Sequence, residues 1–314
     1  MKPTRRAVLG GIAAAALTGC AGLPDAGSAI PIIDTHQHLW DLARFRPPWL
    51  ANAAPVLNRS YGMRDYLEAT RGLNVAKAVY MEIDADPKDH GDEAENAIAL
   101  SRSGAHPTAA AVISGRPAEE SFRPHLLRFK GSPWIKGVRQ ILNPPSAPRG
   151  LCLRPAFVES MRLLGEQNLS FEFCMRPGEL PDAAELAARC PETRFILDHC
   201  GNPDLQAGPR EAESWKRGIG ELARRPNVAC KISGIVAGVP KAGWGPELLA
   251  PVIDHCLDSF GPDRVVFGSD WPVCLLGATL AEWVGALHQV IRRRPEIDRR
   301  KLLHDNAVRI YRLA

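Results

Sequence analysis

Ile30-Pro31-Ile32-Ile33-Asp34-Thr35-His36-Gln37-His38 opens the body of this 314-residue chain, and its apolar half predicts a buried β-strand. β-Branched residues suit a pleated surface covered on both faces. Side chains alternate along a strand, so His36 and His38 leave its C-terminal end on one side, roughly 7 Å apart at Cα. Two imidazoles so placed can bind a divalent metal or bracket a polarised carbonyl. The plainer alternative is a pair of structural histidines satisfied within the core.

Working outward, similar apolar runs predict strands over 30–38, 76–83, 108–114, 135–142, 169–175, 194–200, 227–233 and 264–270. Helical patterns lie between or after them, over 65–71, 92–103, 155–167, 182–189, 214–224, 246–260, 280–294 and 304–313. Strands alternating with helices imply a parallel sheet, and eight of them suit closure. The predicted fold is α/β, a single (β/α)8 TIM barrel over residues 30–314. A doubly wound open sheet is the competing architecture, but it would want a glycine-rich phosphate turn after the first strand, where this chain has histidines. Residues 44–60, rich in proline and aromatics, form a long first loop that is either a lid or a surface excursion.

Other strand ends also carry polar groups. Phe195-Ile196-Leu197-Asp198-His199 delivers His199, Val266-Phe267-Gly268-Ser269-Asp270 delivers Asp270, and Ile135-Lys136-Gly137-Val138-Arg139 carries Arg139. Glu172 sits between Phe171 and Phe173, and Lys231 follows Val228-Ala229-Cys230. One charged residue in an apolar strand is usually a paired core group. Several on separate strands of a closed barrel point to an active site at its C-terminal mouth.

The chain resembles the amidohydrolase superfamily, in its lactonase-like branch of L-fuconolactonases and 2-pyrone-4,6-dicarboxylate lactonases. The stretches that carry the resemblance are Asp34-Thr35-His36-Gln37-His38-Leu39-Trp40, Lys136-Gly137-Val138-Arg139, Leu197-Asp198-His199-Cys200-Gly201-Asn202-Pro203, Cys230-Lys231-Ile232-Ser233-Gly234, Phe267-Gly268-Ser269-Asp270-Trp271-Pro272 and Asn306-Ala307-Val308-Arg309-Ile310-Tyr311. The resemblance implies that His36 and His38 are the first-strand pair, His199 the later-strand histidine and Asp270 the last-strand aspartate. It further implies one divalent metal, zinc by preference, on His36, His38, His199 and Asp270, or none, since the branch includes metal-free members. Glu172 and Lys231 stand on the fifth and seventh strands with no second late histidine, which argues against a two-metal site.

The chemistry that follows is lactone opening on a small sugar-acid or dicarboxylate-type molecule. Asp270 is the general base, the three histidines polarise the carbonyl with or without a metal, and Arg139 and Trp40 contact the substrate. Glu172 and Lys231 are either further substrate contacts or a mutual structural pair. A metal-dependent decarboxylase of the same superfamily and a non-catalytic periplasmic solute-binding lipoprotein are the alternatives. The second calls for two lobes about a hinge.

The first residues read as an address. Thr4-Arg5-Arg6-Ala7-Val8-Leu9 is a twin-arginine pattern, residues 12–17 are apolar but too short to span a bilayer, and Leu17-Thr18-Gly19-Cys20 has the form of a lipobox. Residues 1–19 are thus expected to be removed, Cys20 acylated and residues 20–29 a tether, placing a lipid-anchored protein in the periplasm. An uncleaved N-terminal anchor helix is the alternative. Without residues 1–19 the charge falls from +4 to +1, thirty-six basic residues against thirty-five acidic, which argues against a nucleic-acid partner. Membrane contact is expected only through the lipid, and the oligomeric state stays open. Seven of the eight cysteines follow Cys20 with no CxxC pair, so they read as small buried hydrophobes.

Overall fold

The computed structural model describes residues 30–239 and 243–314. The expected signal, Cys20 and the tether lie outside the described residues. Eight parallel strands, each neighbour paired to the next in chain order, form one sheet: β1 Ile32–Gln37, β2 Val75–Met81, β3 Thr108–Ser114, β4 Ile135–Ile141, β5 Ser170–Cys174, β6 Arg194–Leu197, β7 Val228–Ile232 and β8 Val265–Phe267. Helices α1 Met63–Ala69, α2 His90–Ser103, α3 Phe122–Arg128, α4 Pro155–Glu166, α5 Leu180–Arg189, α6 Pro209–Ala223 and α7 Pro246–Phe260 return the chain between strands, and α8 Leu280–Ile291, α9 Glu296–Arg300 and α10 Asn306–Tyr311 follow β8. This is a single, nearly closed (β/α)8 barrel rather than two lobes.

Because β8 is only three residues long, polar groups complete the seam to β1. Thr35 Oγ1 donates to the Phe267 carbonyl (2.6 Å) and the His38 amide to the Trp271 carbonyl (2.8 Å). The Asp34 carboxylate accepts the amide and hydroxyl of Ser269 at 2.7 and 2.6 Å and the Tyr66 hydroxyl of α1 at 2.8 Å.

Small residues let the barrel interior close. Ile33, Val79, Ala110, Val112, Ile196, Ala229 and Val266 fill it, and Ile310 and Tyr311 of α10 plug it from the N-terminal end. A second, larger core lies between strands and helices. All seven later cysteines are buried and unpaired. Among the described residues no helix is long and apolar enough to cross a membrane.

The sixth and eighth predicted strands overrun most at their C-terminal ends. Pairing of the sixth stops at Leu197, and His199 and Cys200 turn left-handed with φ of 54° and 53°. The eighth stops at Phe267, and Asp270 is left-handed at φ 56°. Helix α3 escapes the sequence reading because it is short and carries Pro124 in its first turn. Helix α6 begins five residues before the predicted start, where Pro209 follows Gly208 and pre-sets the first turn. The 44–60 loop is a packed wall: Phe45, Leu50 and Leu57 are buried, and Trp49 Nε1 holds the Ile83 carbonyl at 2.8 Å.

Candidate active site

His36 reaches the barrel interior through an irregularity. Ile33 faces in and Asp34 faces out to Tyr66, so strict alternation would turn His36 outward. The β1–β2 register shifts between Asp34 and Gln37, and His36 lands among Arg139, Asp198 and Lys231. Its ring centroid lies 4.9 Å from His38 and 4.6 Å from His199.

A cavity of about 370 Å³ opens at this end of the barrel, with His38, Trp49, Arg139, His199, Asn202 and Asp270 in its lining. His199, Asn202 and Asp270, together with Asp84 on the same wall, all have left-handed backbones. Such conformations cost about 1–3 kcal/mol each in non-glycine residues and cluster at functional sites. Here each one turns a polar side chain from a strand end into the mouth. Gly234 makes room for His199: a Cβ on it would stand 2.2 Å from His199 Nδ1.

Hydrogen-bond partners fix what each ring offers. His38 Nδ1 lies 3.0 Å from the Met81 carbonyl, which can only accept, so Nδ1 carries the proton and Nε2 a lone pair. That Nε2 is 3.5 Å from Asp270 Oδ1, and His36 Nε2 is 3.5 Å from the same oxygen. His199 differs. Ser233 Oγ accepts the His199 amide at 3.2 Å and lies 2.9 Å from Nδ1. With the hydroxyl proton on Nδ1, His199 presents Nε2–H, a donor.

His36 Nε2, His38 Nε2 and Asp270 Oδ1 converge, a donor set that suits one cation. Zinc bonds nitrogen and oxygen at ~2.0–2.2 Å, so tetrahedral angles place ligand atoms ~3.4 Å apart, close to the two 3.5 Å spacings here. The expected four-ligand set divides: His36, His38 and Asp270 form one triplet, and His36, Asp198 and His199 another. Arg139 NH1 also addresses His36 Nε2, at 3.1 Å. That lone pair serves either Arg139 or an ion, not both at once.

Beneath the cavity floor lies a compensated charge cluster. Arg139 Nε donates to Glu82 Oε1 at 2.6 Å and NH2 to the Glu82 carbonyl at 2.8 Å, while NH1 stands 3.4 Å from Asp198 Oδ2. Arg139, expected to contact the substrate, lines the cavity but is largely engaged by the protein's own carboxylates. Lys231, fully buried, donates to the Thr35 carbonyl at 3.0 Å and to Glu172, and pairs ionically with Asp198 Oδ1 at 3.1 Å. Glu172 also accepts the Tyr311 hydroxyl at 2.8 Å. Neither Lys231 nor Glu172 is among the residues lining the cavity, and the two pair with each other. Trp40 sits behind the wall, its Nε1 on the Arg59 carbonyl at 2.6 Å, and Trp49 takes the aromatic place in the lining.

Electrostatics follow from this packing. Burial, then the Lys231 charge, hold His36 well below the ordinary imidazole value, so it is neutral. Burial lowers His199 as well. Burial would raise Asp198, but Lys231 and then His36 overcome it and hold the carboxylate ionised. Glu172, sharing the same ammonium, is pushed up to about 8 by burial and by the charge of Asp198.

The sequence reading did not single out Asp198, Glu82, Asp34, Ser233 or Asp84. Glu82 and Asp198 did carry a signal, each being a carboxylate at the end of an apolar run.

The amidohydrolase family profile matches residues 33–313. The chain belongs to the amidohydrolase family. It is 30% identical to an L-fucono-1,5-lactonase of Burkholderia multivorans over 297 residues, 90% of this chain and 96% of that protein. An L-fucono-1,5-lactonase of Burkholderia ambifaria is 27% identical over 288 residues, 90% of this chain and 95% of that one. A Burkholderia multivorans amidohydrolase crystallised with bound zinc superposes with a TM-score of 0.79 at 25% identity, covering 90% of this chain and 100% of that chain. The protein is thus a lactonase-like hydrolase of this family.

Removing the buried ammonium tests the structural role of Lys231. Lys231→Met leaves Glu172 without its cation and Asp198 with Arg139 alone, and the expected loss is about 3–5 kcal/mol of unfolding free energy by urea titration. A variant as stable as the parent with a raised KM would instead make Lys231 a substrate contact.

Proposed function

We propose that this hydrolase opens the lactone of a neutral, polyhydroxylated acid, with Asp270 as general base. The observation that carries the reading is the Asp270 carboxylate in the cavity, 3.5 Å from the Nε2 atoms of both His36 and His38. Asp270 takes a proton from water as the oxygen attacks the lactone carbonyl, and His199 Nε2–H donates to the carbonyl oxygen as charge develops there. As the acyl–oxygen bond breaks, the Asp270 carboxylic acid returns the proton to the departing ring oxygen, leaving a hydroxy acid. A divalent ion, zinc by preference, would be held by His36, His38 and Asp270. When bound it supplies Lewis acidity for the carbonyl or water.

Charge and hydrogen-bonding capacity favour a neutral ring over a dicarboxylate. Among the described residues Arg139 is the one basic side chain of Lys or Arg type in the lining and is engaged by Glu82, while Asp84 and Asp270 add negative charge. Asn202 Nδ2 is committed to the Met175 carbonyl at 2.9 Å, which leaves its Oδ1 for a hydroxyl. Support also comes from the two lactonase relatives, whose names specify a sugar-acid lactone.

Neutral aldonolactones and dicarboxylate lactones, assayed by acid release with and without chelator, test the reading. Neutral rings should be favoured at least ~10-fold in kcat/KM, equivalent to ~1.4 kcal/mol. Asp270→Asn should lower kcat by about 10²–10⁴. A preference for dicarboxylates, or near-parental rates in Asp270→Asn, would refute it.

We also propose export by the twin-arginine route and anchoring through a lipid on Cys20. Mass spectrometry of the membrane fraction should find an acylated N-terminus at Cys20. An intact Met1 there would overturn the assignment.

A further inference from the structure

Two residues of the cavity lining are held by one carboxylate behind it. Glu82 Oε1 accepts Arg139 Nε at 2.6 Å, and Glu82 Oε2 accepts the amide of Asp84 at 2.7 Å. Glu82 Oε2 also lies 2.7 Å from Ser114 Oγ, at the end of β3. On its other side Ser114 Oγ lies 3.0 Å from Oε2 of Glu93, which projects from α2 and is 1% exposed. Glu93 Oε1 accepts the Ile83 amide at 2.8 Å and the Tyr80 hydroxyl at 3.1 Å.

A hydroxyl has one hydrogen. Ser114 Oγ has two carboxyl groups in range and cannot donate to both, so one of them brings a proton of its own. Glu82 is fixed as the anion by the guanidinium and by the Asp84 amide. We propose that Glu93 is a positioning residue kept as a neutral carboxylic acid: its Oε2–H donates to Ser114, Ser114 donates to Glu82, and this chain sets Arg139 and Asp84 in the cavity wall. The activity arm of its test rests on the lactonase reading; the proton assignment does not.

The charged and titratable groups around this chain agree with it. From β2 and its end come Tyr80, Glu82 and Asp84; Arg116 follows β3, Arg139 lies on β4, His90 on α2 and His125 on α3. Tyr80 is raised well above the usual phenol by burial and then by Glu93, so it is neutral. Burial, then the Arg116 charge, lower His90 to about 4, and burial lowers His125. Arg116 is paired to Asp84 at 2.9 Å. Burial, then the Glu82 charge, raise Glu93 to about 8.

The sign of the pH effect follows. An ordinary glutamic acid titrates near 4.5 and Glu93 in the fold near 8. The unfolded chain therefore releases this proton first, and the associated stability is lost as pH rises from about 4.5 to 8. Glutamine keeps a donor for Ser114 and an acceptor for the Ile83 amide but has no proton to lose.

The full chain carrying Glu93→Gln, Glu93→Ala or Ser114→Ala is compared with the parent in three measurements. The Tm advantage of Glu93→Gln over the parent should widen between pH 5 and 8.5. An infrared band of a protonated carboxyl should be present in the parent at pH 7 and lost in Glu93→Gln. On the lactone substrate, kcat/KM of Glu93→Gln should stay within about twofold of the parent at pH 7 and lack its fall above pH 8, while Glu93→Ala and Ser114→Ala fall at least ~10-fold. A pH-independent Tm difference together with an unchanged infrared band would overturn the inference. If the alanine variants do not fold, Glu93→Gln alone decides. If no lactone is hydrolysed, the thermal and infrared results still decide, so failure of the lactonase reading is distinguishable from failure of this one.

Discussion

Two cations and two anions buried inside the barrel, Arg139 with Glu82 and Lys231 with Asp198, are the constraint on which the site depends. They come from β4, the end of β2, β7 and the turn after β6, and they close around His36 of β1. Isolated ions at such depth would cost several kcal/mol each, and the geometry succeeds only because each finds a partner. Two further carboxyls, Glu172 and Glu93, are both raised to about 8. Glu93 as a neutral acid adds no charge, and Glu172 shares the Lys231 ammonium with Asp198. The Asp270 carboxylate therefore faces His36 and His38 with its own charge uncompensated by this cluster, ready for a proton or a single cation.

The barrel serves this arrangement by how it ends its strands. A three-residue β8 forms too few ladder bonds to complete the seam, and Asp34 stitches Ser269 and Tyr66 into it. The same short strand frees Gly268, Ser269 and Asp270 to turn, and the left-handed backbone at Asp270 aims its carboxylate at the β1 histidines. Left-handed His199 does the same from the β6 end, seated against Gly234. Below, α10 brings Tyr311 to Glu172, so the plug of the barrel also supplies a hydrogen bond to the floor of the site.

Much of this could be read from the chain alone, and the limits are physical. Strand β3 and helix α7 were located to the residue because an uninterrupted apolar run, and a proline after glycine, mark their bounds. His36, His38, His199 and Asp270 stand out because polar residues directly after apolar strands have few other uses in a barrel. Arg139 stands out on its strand, but only the fold shows that Glu82 engages it. Glu93 gave no warning: on α2, beside Asp92 and Glu95, it reads as one more residue of a solvated face. Burial of that position comes from packing against β2 and β3, which no local pattern encodes. Trp40 and Trp49 were exchangeable by composition, and only the path of the first loop decides which one meets the cavity.

The mechanism stands or falls on where water enters the substrate. Hydrolysis in ¹⁸O-enriched water, followed by mass spectrometry of the product, reports this directly. Attack at the carbonyl by water deprotonated at Asp270 places one ¹⁸O in the product carboxylate and none in the released hydroxyl. Label in that hydroxyl would mean that the alkyl–oxygen bond breaks instead, and would contradict the assigned roles of Asp270 and His199.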